Sequence, residues 1–500
     1  MFYYTGACGN VKNKYELFLN KYNFDESWQI PRATHTMKRE EMTMFSYLFT
    51  FRSQTAAQSG RRILYESGLR AQLRRAPPEI SGLGCTWALY VGGEDGVHAA
   101  QQLRGVEQPG LRRVPDAPER VSGGGGAVIY LDAGATTLQK PPMVAYHMQS
   151  ALRRMATPGR GAYAPAMRAA DAVYDCRVLA AELFGAQPEQ VVFTMNATHA
   201  LNLAIKTLVR PGGRAVISGF EHNAVVRPLH HIGAETIVAG RRLFDPADTL
   251  AAFEAAVTPD TQAVVCTHVS NVFGYILPLE EIAALCRARR VPLIVDASQS
   301  AGLLPVSLEK LGAAFVCMPG HKAIYGPQGT GLLLCGRTPD TLLEGGSGSA
   351  SRLPDMPQEL PDHAEAGTQN VCGICGLAAG LRFVRQQGPE RLLAHEAGLR
   401  AQLAAGLQGL GGVHVYTGEG QSGTLSVRAE TMDCETLAAR LAEHGVCTRA
   451  GLHCAPLAHE SAGTLTTGTL RLTPSAFNTT REIDQTIRIL RKILTTKGSL

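Results

Sequence analysis

Residues 315–331 read FVCMPGHKAIYGPQGTG: an apolar run stops at Pro319-Gly320, presents His321 and Lys322, and then dissolves into glycines. A lysine at the end of a β-strand is either a surface cation or an amine placed for covalent chemistry, and the neighbouring strand ends decide which. After VVF comes TMNATHALN, a polar turn opening a helix at Ala197 and Thr198, whose free N–H groups can hold a phosphate. After VISGF come Glu221, His222 and Asn223; after VVCTHVS comes Asn271; after LIV come Asp296 and, three residues on, Gln299. In an open parallel sheet, ligands bind beyond the carboxyl ends of the strands. Five successive strand ends thus supply a phosphate-type turn, an imidazole, an amide, a carboxylate with an amide, and an amine.

Each of these groups has a task if the ligand is pyridoxal 5'-phosphate. An amine condenses with the aldehyde, and a carboxylate keeps the pyridine nitrogen protonated so that the ring accepts electrons. Amides hold the phenolic oxygen, and a flat side chain stacks on the ring. Any one of them alone reads as a cap or a solvated loop residue. Five arriving in strand order make a much rarer accident.

The elements that must position these residues are visible from about residue 127 onward. QVVFTM, RAVISG, ETIVAG, QAVVCTHV, VPLIVDA and AAFVCM are short β-branched runs separated by helical stretches. Near-continuous apolar strands joined by helices predict a mostly parallel sheet covered on both faces. From about 395 longer helices dominate (EAGLRAQLAAGLQGL, DCETLAARLAEHG, REIDQTIRILRKIL), which predicts a smaller α+β domain at residues 396–500. Residues 44–117 read as a small α/β unit: FSYLFTF and TWALYV as strands, SQTAAQSGRRILYESG and GEDGVHAAQQLRG as helices. Pro and Gly mark 118–127 as a linker ahead of a large domain at 128–395, and the Lys-, Asn- and Tyr-rich residues 1–43 form an extension.

Bulk composition excludes several classes. A net charge of +5 on 500 residues gives no case for a nucleic-acid binder, and no apolar run is long enough to span a bilayer. The first residues carry Asn, Lys and Tyr where a secretory leader needs an apolar stretch, so a cytoplasmic location is expected. Twelve cysteines scattered through apolar runs, such as Cys266 and Cys317, are small buried hydrophobes rather than a disulfide framework, and no metal site is expected. Cys372 and Cys375 form a CxxC without a thioredoxin-like sheet around it, and no redox role is assigned to them.

VDASQSAG followed by GHKAIYGPQGTG resembles the class V aminotransferase group, in particular the cysteine desulfurases and selenocysteine lyases. YLDAGATT at 130–137, EHNAVVRPL at 221–229, HVSNVFGYILP at 268–278 and EAGTQN at 365–370 fit the same family in the same order. The resemblance implies the pyridoxal-phosphate fold type I, with a seven-stranded large domain, a small carboxyl-terminal domain and a homodimer. It further implies Lys322 as the lysine that takes the aldehyde, Asp296 on the pyridine nitrogen, and His222 as stacking ring and acid/base. Gln299 and Asn271 would lie near the phenolic oxygen, and Ala197, Thr198 and His321 at the phosphate. Thr368 would reach the partner subunit's cofactor. Pro319 stands where the family often has serine, and Asn196-Ala197 where Gly-Thr is usual, so backbone N–H groups must carry more of the phosphate contact.

CTRAGLHCAPLAHE, 447–460, resembles the segment that carries the catalytic cysteine in short-loop desulfurases, which implies Cys454 as nucleophile. Cys447, at the end of an apolar strand, is expected to be buried. A cation or base must lower the thiol pKa from about 8.5, with His453 and Arg449 as candidates. Arg471, in GTLRLTPSAFNTT, would bind the substrate carboxylate through its planar fork. These residues imply conversion of L-cysteine to L-alanine with sulfur left on Cys454. Selenocysteine lyase, a lyase or epimerase on another amino acid, and a non-catalytic scaffold of the same fold stand as alternatives. APPEISGLGCTWALYV, 76–91, resembles a small bacterial domain suspected to carry sulfur or selenium, which makes Cys85 a candidate acceptor beside any separate acceptor protein.

Overall fold

The computed structural model describes residues 128–495 save 159–160 and 350, and before them 45–75 save 52, 87–92, 95, 98–99, 102–103 and 110–115. The described residues divide into an amino-terminal unit, within 45–74 and 88–115, and a large unit that takes in those from 128 on.

In the amino-terminal unit, strands β1 (Phe45–Phe51), β2 (Gln72–Arg75), β3 (Trp87–Val91) and β4 (Gly110–Pro115) form one sheet in the order β2-β3-β1-β4. The helix Gln54–Glu66 starts at Ser53, whose side chain accepts from the Ala56 N–H at 3.1 Å, and buries Ala57 and Leu64. Two of these strands, β2 and β4, have no counterpart in the sequence reading. Both are edges, and neither QLRR nor GLRRVP carries the apolar alternation that marks a strand in sequence.

The large unit opens with the two-residue strand β5 (Ile129–Tyr130) and then builds a seven-stranded sheet from β6 (Val191–Thr194), β7 (Arg214–Ser218), β8 (Glu235–Ala239), β9 (Thr261–Thr267), β10 (Leu293–Asp296), β11 (Phe315–Pro319) and β12 (Gly331–Cys335). Their order is β6-β12-β11-β10-β9-β7-β8. The pairs from β11 through β10, β9 and β7 to β8 are parallel, whereas β12 runs antiparallel to both its neighbours. Alternation of side chains splits the apolar residues into two cores. Val216, Val264, Val295, Val316 and Met318 face one, while Ile217, Val265, Ile294, Phe315 and Cys317 face the other. Both faces are covered, as the unbroken apolar strands require.

The remaining strands, β13 (Val413–Tyr416), β14 (Leu425–Ala429), β15 (Val446–Cys447), β16 (Arg449–Gly451) and β17 (Thr469–Leu472), belong to the carboxyl-terminal lobe. Four form an antiparallel sheet, β13-β14-β17-β16, and β15 pairs in parallel with β5. The boundary expected at 395/396 falls inside the helix Pro389–Leu407, which buries Leu399, Leu403 and Leu407 in the lobe's core. Among the described residues no helix is long and apolar enough to cross a membrane.

Candidate active site

Beyond the carboxyl ends of β6, β7, β9, β10 and β11 lies a cavity of about 190 Å³. Ala197 and Thr198 line it from the turn after β6, His222 from the segment after β7, and Asn271 from the loop after β9. Asp296 and Gln299 enter from β10, and His321 and Lys322 from β11. All eight side chains expected from the strand ends are therefore brought together.

Lys322 is the chemical centre of this group. Burial lowers its pKa to about 8; Asp296 opposes the shift, and Arg471 and Arg449 add to it. About a tenth of the amine is then neutral at pH 7 and about half at pH 8, the neutral form being the one that attacks an aldehyde. Asp296 is buried, and one of its oxygens accepts the Ser298 N–H at 2.9 Å. His222 caps the helix Asn223–His231: its Nδ1 accepts the Ala224 N–H at 3.0 Å, which leaves the proton of the neutral ring on Nε2. Burial and then the Lys322 charge push its pKa down to about 4. Next to it, fully buried Glu221 accepts from Ser218 Oγ at 2.6 Å and from the Thr267 N–H at 2.7 Å, joining β7 to β9. Burial raises its pKa to about 8, so it is a neutral acid at pH 7.

The His321–Lys322 segment is pinned by residues whose roles sequence reasoning missed. The His321 carbonyl accepts from Thr136 Oγ1 at 3.2 Å, Thr137 Oγ1 at 3.1 Å and Lys140 Nζ at 2.9 Å. Lys140 is itself shifted down to about 8 by burial. Asp132 on the same arm accepts from Arg449 at 3.0 Å and from Arg471 Nη2 at 2.8 Å. For Asp132, Thr136 and Thr137 the signal is the motif YLDAGATT itself, which concentrates one acid and two hydroxyls ahead of the sheet.

Arg471 is 2% exposed, and its Nη1 donates to the Asn271 carbonyl at 2.9 Å. Its Nε has no partner and lies beside Gly134, where a Cβ would come within 3.5 Å of that nitrogen. A buried guanidinium whose free N–H faces a glycine, with no side chain of that residue in between, suits an incoming carboxylate.

Of the described cysteines Cys454 alone is exposed, and it opens into a second cavity, of about 330 Å³, that shares Thr198, His222 and Ala224 with the first. The loop is tied to the strand ends on both sides. The Asn223 N–H donates to the Cys454 carbonyl at 2.7 Å, and Asn271 Nδ2 donates to the His453 carbonyl at 2.8 Å. His453 and Cys454 adopt φ of +50° and +57°, left-handed conformations unusual outside glycine.

Both side chains expected to act on this thiol are engaged with other partners. His453 is buried with Nε2 on the Thr469 carbonyl at 3.1 Å, and burial holds its pKa well below the usual range, so the ring is neutral. Arg449 is engaged with Asp132. Cys447, expected to be buried, is half-buried. Thr368 is exposed and lines a different cavity, with Met195 and His199. Cys85 lies outside the described residues.

The residues present fit pyridoxal phosphate on their own geometry. A partly deprotonated lysine amine and a buried carboxylate share one cavity, and His321 Nδ1, buried and without a partner, offers a polar atom for an anionic group at its rim.

A family model described as aminotransferase class V matches residues 129–486. A probable cysteine desulfurase of Methanothermobacter thermautotrophicus is 32% identical over 372 residues, covering 71% of this chain and 92% of its own. The cysteine desulfurase IscS of Serratia proteamaculans is 32% identical over 383 residues, covering 73% and 92%. The solved apo structure of a cysteine desulfurase from Thermococcus onnurineus NA1 superposes with a TM-score of 0.68 at 28% identity, over 74% of this chain and 95% of that one.

Proposed function

Because the chain belongs to the class V aminotransferase family, we propose that it is a pyridoxal-phosphate-dependent cysteine desulfurase, converting L-cysteine to L-alanine and leaving the sulfur as a persulfide on Cys454. One observation carries this reading: the exposed Cys454 opens into a cavity continuous in its lining with that of Lys322, through His222 and Thr198.

Lys322 would hold the cofactor's aldehyde carbon, Asp296 its pyridine nitrogen and His222 its ring face. Gln299 and Asn271 would lie at the phenolic oxygen, and His321 with the Ala197–Thr198 backbone at the phosphate. When bound, the cofactor supplies an electron sink for the substrate's α-carbon. Arg471 Nε, free and buried, takes the substrate carboxylate. Lys322 Nζ, with its pKa near 8, moves the α-proton, and Nε2–H of neutral His222 donates where charge develops. The Cys454 thiolate attacks the substrate Sγ: a sulfur–sulfur bond forms and the Cβ–Sγ bond breaks. The carbon is reduced as sulfur is oxidised, so no outside reductant is needed.

Two further expectations accompany this function. The exposed Thr368, with exposed Met195 and Leu343 around its cavity, supports a homodimer in which Thr368 serves the partner subunit's site. The amino-terminal unit would receive sulfur at Cys85, in the cytoplasm. Mass spectrometry after incubation with L-cysteine tests both sulfur sites. Added sulfur on the Cys454 peptide is expected; none there, in a preparation of which a separate sample yields a Lys322 pyridoxyl adduct with borohydride, sinks the desulfurase reading. Alanine formed from L-selenocysteine but not from L-cysteine would assign a selenocysteine lyase instead.

A further inference from the structure

The 330 Å³ cavity in front of Cys454 has a wall that desulfuration of cysteine does not use. Arg227 and His231 lie four residues apart on the helix Asn223–His231, hence on one face, and both line the cavity. Asn202 and Asn223 complete its polar lining, and no carboxylate is among the lining residues. Arg227 is exposed and, among the described residues, its guanidinium has no hydrogen-bond or ion-pair partner. Its charge reaches the site, for it contributes to the depression of the His222 pKa. The substrate's own carboxylate already has a guanidinium in Arg471, buried and joined to Asn271. A second, unpaired cation on the outer side of the thiol therefore calls for a second anion.

We propose that this cavity receives the molecule that takes sulfur from Cys454, and that the acceptor is a small thiol bearing an anionic group, held by Arg227 with His231 beside it. The proposal rests on the desulfurase reading and names the acceptor class for the same site. The acceptor thiolate, its proton given to solvent, attacks the terminal sulfur of the Cys454 persulfide. A bond forms from acceptor sulfur to that sulfur, the bond to Cys454 Sγ breaks, and Cys454 leaves with the electron pair as a thiolate. The acceptor is oxidised to a persulfide as Cys454 returns to a thiol, and the site is ready for another turnover.

Two measurements on the cofactor-loaded full chain test this. The first is alkylation of Cys454 by anionic iodoacetate and neutral iodoacetamide, which needs no turnover. The iodoacetate-to-iodoacetamide rate ratio should fall roughly 3–10-fold in Arg227→Gln and stay high in Arg227→Lys, as expected for local steering by one exposed charge. It should also fall in wild type as salt is raised. The second is transfer from enzyme loaded to the same persulfide level, with mercaptosuccinate and 2-mercaptoethanol as acceptors. The anionic thiol should react about 10-fold faster, and Arg227→Gln should erase the preference. An unchanged alkylation ratio overturns the anion site alone. Equal transfer to both thiols, or transfer to protein thiols only, overturns the acceptor class. Absence of sulfur on Cys454 overturns the transfer step together with the desulfurase reading.

Discussion

Lys322 is buried where its charged form is expensive, and this gives the reaction a definite pH response. With its pKa near 8 rather than 10.5, the amine loses its proton as pH rises through 8, and the neutral form is the one that condenses with an aldehyde. Cofactor uptake by the cofactor-free protein should therefore accelerate from pH 6.5 to 8.5 and then level off, followed by the absorbance of the bound coenzyme. Lys322→Ala should yield no pyridoxyl adduct with borohydride and lose alanine production by at least about 10³-fold, as expected for removal of a group acting in concert with others. A rate of uptake flat across this range would contradict the role of burial. Lys322 and the seven residues around it were legible in the sequence because each follows an apolar run by a few positions, and a parallel sheet sends all such positions to one edge. Asp132 and Lys140 were not, since their partners lie far along the chain. His453 misled for the opposite reason: it adjoins Cys454 in sequence, yet its ring turns inward to Thr469.

The loop bearing Cys454 stores strain that a glycine would release. At φ of +57° an L-residue costs about 1–2 kcal/mol. Cys454→Gly should therefore be more stable than Cys454→Ala by about 1 kcal/mol, read from denaturant midpoints at equal slopes. Equal stability would mean that the loop relaxes once the sulfur is gone. The segment 365–370 depends on a different element contact. Glu365 and Arg177 form a buried pair with a separation of 2.6 Å, and Glu365 also accepts the Phe193 N–H at the start of the strand end that leads to Ala197. Glu365→Ala leaves a buried guanidinium uncompensated and should cost about 3–5 kcal/mol in urea unfolding. Six of the seven large-sheet strands stood out as β-branched runs. The seventh, GLLLC at 331–335, is leucine-rich and follows a glycine loop, which leaves it without β-branched residues to mark it. The arginine-bearing edges of the small sheet were hidden for a related reason, because their charges erase the apolar alternation.

At the scale of the whole molecule, buried imidazoles set the acid limit. His268 and His459, neither of them lining the Lys322 cavity, are buried with pKa values lowered to about 4 from 6.5 by burial. Above pH 6.5 both states carry neutral rings and these groups contribute no pH dependence. As pH falls from 6.5 toward 4, the unfolded chain takes up protons that the folded chain refuses, so stability is lost in that window. His459→Asn should flatten the dependence of unfolding free energy on pH by about one proton, roughly 1.4 kcal/mol per pH unit near pH 5. An unaltered slope would mean that His459 finds solvent in the folded state.

The bond between Asp132 and Arg471 joins residues 339 positions apart. On a ribosome, everything needed for the seven-stranded sheet has been synthesised by Cys335, whereas the Arg471 guanidinium is added only later. A nascent chain thus commits to its scaffold, Lys322 included, well before Arg471 exists, and a product truncated ahead of Arg471 would leave Asp132 without the guanidinium it meets at 2.8 Å.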